Sequence, residues 1–188
     1  SNMCIMFNKE IMDALGITRE DVQTEDGFYA ACEKVKTSGY QVDGQSVLPV
    51  VLQCNLWINS SLDGIVAWNF GAVPVDENGN YRHTELSPGY KNGLKFLNNL
   101  VQDGYLDVNT LTIDETALKT YLDAKRVFCW IGNQAQQDKT NMPWVSFGPI
   151  LASNGARPAM PVNQSAGTGW IQTLVSKDCK NPEKIAKL

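Results

Sequence analysis

Tryptophan recurs beside amide side chains and glycine along this chain. Trp57 lies between Asn55 and Asn59, Trp68 precedes Asn69-Phe70-Gly71, Trp130 precedes Gly132-Asn133-Gln134, and Trp170 follows Gly167-Thr168-Gly169. A flat amphipathic ring next to neutral donors and acceptors suits a polar, uncharged ligand such as a sugar or oligosaccharide. The C–H face of a sugar lies on the ring while its hydroxyls bond to the amides. Trp57, Trp68, Asn69, Trp130, Asn133, Gln134 and Trp170 are therefore the candidate ligand-binding residues. Core packing competes with ligand contact for each ring, because tryptophan is mostly buried in globular proteins. Trp144, between Pro143 and an apolar run, is assigned to the core.

Catalytic patterns are thin. The chain has no G-x-S-x-G elbow, phosphate-cradling glycine loop, G-x-G-x-x-G, H-E-x-x-H or S-x-x-K. The acidic pairs Glu20-Asp21, Glu25-Asp26 and Asp114-Glu115 fall at expected helix starts, where the helix dipole accounts for them. No catalytic residue is assigned, and the chain reads as a binding protein rather than an enzyme. Two rival readings stand beside it. A glycoside-hydrolysing domain requires two carboxylates converging across a cleft, and a structural interaction domain requires all the tryptophans to be buried.

Metal and cofactor sites are not expected. His83 is the only histidine, which removes multi-histidine metal sites. The stretch Asp76-Glu77-Asn78-Gly79-Asn80 starts like a calcium loop, but the twelfth position needs glutamate and holds Ser87. Cys4, Cys32, Cys54, Cys129 and Cys179 form no C-x-x-C pair. Cys32 and Cys129 lie on apolar stripes and are expected buried and unpaired.

With 188 residues, 43% hydrophobic and 19% charged, and a net charge of -4, the chain has the make-up of one globular domain or one large lobe. No apolar run approaches the roughly 20 residues of a membrane span. Without clustered Lys or Arg there is no electrostatic footprint for nucleic acid or an anionic membrane surface.

The elements that would position these residues follow from periodicity. Met3 to Phe7 reads as a buried strand, Asn8 caps a short helix to Leu15, and Gly16 ends it. A second helix follows Thr24, with Phe28, Ala31, Cys32 and Val35 on one face. Leu48 to Leu62 is ambiguous and is compatible with a buried helix, while Ile65 to Val75 reads as a strand leading through the turn at 76–80 into a hairpin. Ser87-Pro88 opens the clearest helix, with Tyr90, Leu94, Leu97, Leu100 and Val101 as its stripe. Thr112 and Glu115 have capping-box spacing for a helix carrying Leu118, Tyr121 and Leu122. Strands are expected at Val127 to Ile131, Trp144 to Leu151 and Trp170 to Val175, and a helix after Asn181-Pro182-Glu183. Ser1-Asn2 before Met3 resembles a tag-cleavage scar, so the chain is expected to be an excised piece of a longer protein.

The order of these segments resembles the extracellular solute-binding proteins of ABC transporters, in particular their carbohydrate-binding and lipoprotein branch. The matching segments are N-K-E-I-M-D-A-L-G-I at 8–17, F-Y-A-A-C-E-K-V-K-T-S-G at 28–39 and V-D-E-N-G-N-Y at 75–81. They continue with L-S-P-G-Y-K-N-G-L-K-F-L-N-N-L-V-Q-D-G-Y-L-D at 86–107 and V-S-K-D-C-K-N-P-E-K at 175–184. Where the family often has Pro-Thr after the first helix, this chain has Thr18-Arg19-Glu20-Asp21-Val22.

The resemblance implies a helix-rich mixed α/β lobe, one half of a type II periplasmic-binding-protein-like fold, with ligand held between two lobes. Residues 3–180 are then lobe two, with the first crossing near Met3 to Phe7, and 181–188 begin a helix leading back to lobe one. The loop after Val127 to Ile131 faces the ligand, which places Asn133 and Gln134 there, and Trp170 lies near the hinge. The implied function is capture of a carbohydrate for a membrane ABC permease by hinge closure, with no cofactor. The implied location is extracellular, as a cell-surface lipoprotein or in the periplasm, and the piece itself is expected to be monomeric.

Overall fold

The computed structural model describes residues 3–52, 68–112, 114–133 and 143–159, together with 175, 177, 179, 180 and 184. Among them the chain runs β1 (Met3–Asn8), α1 (Lys9–Leu15), α2 (Glu25–Thr37), a small hairpin β2 (Gln41–Val42) and β3 (Gln45–Ser46), and β4 (Leu48–Leu52). It continues through α3 (Pro88–Gln102), α4 (Glu115–Asp123), β5 (Val127–Asn133) and β6 (Trp144–Val145).

Local chemistry explains most boundaries. Asn8 accepts from the N–H groups of Glu10 and Ile11 at the start of α1, and Gly16 ends it in the left-handed region at φ +60°. Thr24 caps α2 through the N–H of Gly27, and Ser87 caps α3 through that of Tyr90, with Pro88 in the first turn. For α4 the cap is Asp114, which accepts from the N–H of Ala117, and not the expected Thr112. Asp114 directly adjoins the first helical residue, so its carboxylate reaches the free amides of that turn.

The main sheet has the order β4-β5-β1-β6, mixed in direction. β1 runs antiparallel to β5, with Met3 opposite Asn133 and Ile5 opposite Ile131, and antiparallel to β6. β4 runs parallel to β5, with Leu52 beside Ile131. Alternate side chains of β1 and β4 feed two cores, as the period of a strand requires. Ile5, Phe7, Val50 and Leu52 join the larger cluster with Phe28, Val35, Phe96 and Leu100 of α2 and α3. Met6 and Val51 join the smaller one with Leu118 and Leu122 of α4 and with Trp130. Cys32 and Cys129 are buried and unpaired, as expected.

Several expectations are corrected. Residues 48–52, ambiguous in the sequence, form a buried parallel strand, and Val50, Val51 and Leu52 are covered on both faces, a setting in which strands lose their alternation. Residues 68 and 69 are helical, and the expected hairpin reduces to a single bridge between Val75 and Tyr81. The strand expected over 144–151 pairs only at Trp144 and Val145. On α3 the buried stripe is Gly89, Gly93, Phe96, Leu97 and Leu100, while Leu94 is 47% exposed. The strand expected at 170–175 and the helix after 181 lie largely outside the described residues. Among the described residues, no helix is long and apolar enough to cross a membrane.

Candidate functional site

The parallel pair β4 and β5 stops at one end of the sheet, at Leu52 and Asn133, where Met3 of β1 lies opposite Asn133. In open α/β sheets, ligands bind outside the carboxyl ends of the strands. After α3, Leu106 returns parallel beside Val50, a connection that requires a crossover. Gly89, in the first turn of α3, sits on the turn at 70–72. A Cβ there would stand 2.5 Å from the Phe70 carbonyl oxygen and 2.6 Å from the Ala72 nitrogen, so only glycine permits the approach.

Trp68 opens this turn and is half-buried. Its carbonyl accepts from the N–H of Gly71 at 3.0 Å and from that of Ala159 at 2.8 Å. Asn69 is only 6% exposed. Its Oδ1 accepts from the Ile150 N–H at 2.8 Å and its Nδ2 donates to the Ile150 carbonyl. Both ends of the amide are thus engaged by backbone, which corrects the expectation that Asn69 offers itself to a ligand. Gly71, at φ +75°, passes close to the Arg157 carbonyl. The turn is thereby held to the segment 150–159 by hydrogen bonds to Ile150 and Ala159.

Trp130 is corrected more simply. It is 1% exposed inside the smaller core and meets Trp144 edge-on at 6.0 Å, so neither face of its ring is open to a sugar. Trp144 packs against that same core, as expected. Asn133 closes β5 at the sheet end described above. Trp57, Gln134 and Trp170 lie outside the described residues, although Gln134 directly follows Asn133 and Trp57 follows Leu52 by five positions in sequence. Of the expected set, Trp68 and Asn133 are thus the described residues left as candidates.

Cys4, opposite Gly132, has its thiol pushed up by burial. The Asp76 carboxylate is held below its usual range by the backbone N–H of Asn80, and it also accepts from Asn78. Its oxygens serve the turn itself. Among the described residues, no group of acidic, histidine or cysteine side chains is arranged to hold a metal. Sequence reasoning missed Gly89, whose signal was a glycine inside the first turn of a helix that already had a cap and a proline, where propensity alone disfavours it.

No protein-family description matches the chain, and no curated protein matches it. Solved structures do. The ABC-transporter substrate-binding protein FusA of S. pneumoniae, in complex with kestose, is 16% identical and superposes with a TM-score of 0.70, covering 85% of this chain and 34% of its own. A sugar transporter protein from Arthrobacter chlorophenolicus with bound laminaribiose is 16% identical with a TM-score of 0.63, covering 82% and 38%. Maltose-bound MalE3 of T. maritima is 14% identical with a TM-score of 0.60, covering 82% and 40%. This chain spans between about a third and two fifths of the length of these proteins. It has the helix-rich mixed α/β fold of that part of a periplasmic-binding-protein-like solute-binding protein.

Proposed function

We propose that this chain is the second lobe of an extracellular solute-binding protein of an ABC transporter, and that it captures a carbohydrate for import. The observation that carries the reading is the superposition of 81–85% of the chain on proteins whose names or bound ligands are sugar-related, including kestose and laminaribiose complexes. The ligand would meet the sheet end at Leu52 and Asn133. Trp68 offers a half-buried ring, and Trp57, Asn133, Gln134 and Trp170 complete the proposed contact set. Residues 3–180 form the lobe and 181–188 lead toward the other one. The lobe makes and breaks no bond and needs no cofactor. It works by closing on the ligand about a hinge, and the ligand stabilises the closed form through the interactions it makes only there. The remaining partner is the membrane permease, reached through the whole protein, which resides at the cell surface as a lipoprotein or in the periplasm. The lobe itself is monomeric.

One wall of a cleft cannot surround a sugar. If the whole receptor binds at about a micromolar, near -8 kcal/mol, halving that free energy leaves roughly millimolar affinity. The test is NMR titration of the chain with kestose, laminaribiose and maltose into the tens of millimolar, a range of roughly -2 to -4 kcal/mol. Saturable shifts of the Trp68 indole by one of these sugars are expected. Absence of any shift with all three overturns the reading. Release of reducing ends during the titration would instead favour the glycoside-hydrolysing rival.

A further inference from the structure

We propose that Asn69 is a positioning residue for Trp68: its amide clamps the turn that carries the ring to the backbone of Ile150, and so sets where the ring stands. The value of this for function rests on the sugar-binding reading of Trp68, but the clamp itself can be tested without any sugar.

Three observations carry it. The Asn69 side chain is buried, and its donor and acceptor both meet one residue, Ile150, which lies 81 positions away in sequence. An amide held at both ends by one residue's backbone is rigidified, and it anchors the backbone from which the Trp68 side chain projects. Ile150 is in turn a fixed anchor. It is 1% exposed in the larger core, and the next residue, Leu151, donates to the Gln23 carbonyl at 2.7 Å and accepts from the Glu25 N–H at 2.9 Å. The Trp68 carbonyl is also held, by Ala159, but that bond fixes only the peptide that leads into Asn69. The asparagine supplies the side-chain restraint next to the ring. A stacking contact is sensitive to such placement, because the attraction is spread over a flat face that must meet the sugar squarely.

The experiment uses the chain with 5-fluorotryptophan in place of tryptophan, and the Trp68 fluorine resonance is assigned by its loss in Trp68→Phe. In Asn69→Ala, the Trp68 resonance is expected to broaden or move while those of the core rings Trp130 and Trp144 stay in place. An unchanged Trp68 resonance overturns the proposal. So does equal displacement of the core resonances, which would mean that Asn69 supports the fold as a whole. Should Asn69→Ala fail to fold, Asn69→Ser carries the same comparison, since its short hydroxyl cannot engage both backbone groups of Ile150 and it buries no charge.

Sugar then gives a second, separate readout. With a sugar that shifts Trp68, Asn69→Ala is expected to weaken binding about tenfold when Trp68 is present and to cost nothing further in the Trp68→Ala background. An equal loss in both backgrounds overturns the positioning role. If none of the sugars binds, it is the proposed function that fails, and the sugar-free spectra still decide the role of Asn69.

Discussion

Replacing Asn8 tests how β1, α1 and β5 are joined. Asn8 is fully buried. Its Oδ1 accepts from the N–H groups of Glu10 at 3.0 Å and Ile11 at 3.3 Å, and its Nδ2 donates to the Lys125 carbonyl at 3.1 Å. Lys125 lies just before β5 in the left-handed region, at φ +55°. Asn8→Ala removes a helix cap, worth about 1 kcal/mol, and takes the donor from a part-buried carbonyl at a cost of about 1–3 kcal/mol. The total is roughly 2–4 kcal/mol, or roughly 4–16 °C in Tm for a chain of this size. Asn8→Ser separates the two contributions. Serine caps nearly as well as asparagine but cannot reach Lys125, so it should lose only the carbonyl share, about 1–3 kcal/mol. Asn8→Asp keeps the cap yet faces the Lys125 carbonyl with a carboxylate, and should be less stable than Asn8→Ser. Urea unfolding with an unchanged m-value gives the differences. An Asn8→Ala variant within about 0.5 kcal/mol of the parent refutes the accounting, and equal stability of the Ala and Ser variants refutes the contribution of the cap.

Gly89→Ala should destabilise by about 1–3 kcal/mol although alanine is the better helix former, since the new Cβ meets the 70–72 backbone; a stabilised variant in urea unfolding would show that α3 does not press on this turn. Leu94→Ala, on the exposed side of α3, should change stability by less than about 0.5 kcal/mol in the same assay. Cys32 and Cys129 should resist iodoacetamide in the native chain at pH 8 while Cys179, only partly covered, reacts; mass spectrometry finding Cys32 modified first would contradict the packing of α2. Stability should fall with alkaline pH. Burial raises the thiols of Cys32 and Cys129 and pushes the Tyr29 hydroxyl up to about 12, so above about pH 9 the unfolded chain releases protons that the folded chain keeps, and the difference is paid in folding free energy. Urea midpoints that hold level from pH 8 to about pH 11 would refute those shifts.

Local chemistry was readable without coordinates. The Asn8, Thr24 and Ser87 caps and the glycine that ends α1 act within one turn of the residues they serve, so neighbours in sequence suffice to recognise them. The apolar stripe of α2, the strands β1 and β5, and the burial of Cys32 and Cys129 follow from the same short-range patterns. The fold was suggested by the resemblance of segments such as 86–107 to the extracellular solute-binding proteins, and not by periodicity or spacing.

What the tertiary structure alone decided concerns contacts between distant residues. Residues 48–52 are equally apolar as helix or strand, and they became a strand because β5, some eighty positions later, supplies a parallel partner. Trp68 and Trp130 stand in similar company in the sequence, yet one lies half-buried in a turn and the other is sealed in a core by Met6, Leu118 and Leu122. Asn69 looked like a free amide because the backbone that engages it, at Ile150, is far away in sequence. Periodicity and neighbouring residue types report which groups a segment carries. Which of those groups remain open to a ligand is set by the surfaces that other segments bring to cover them.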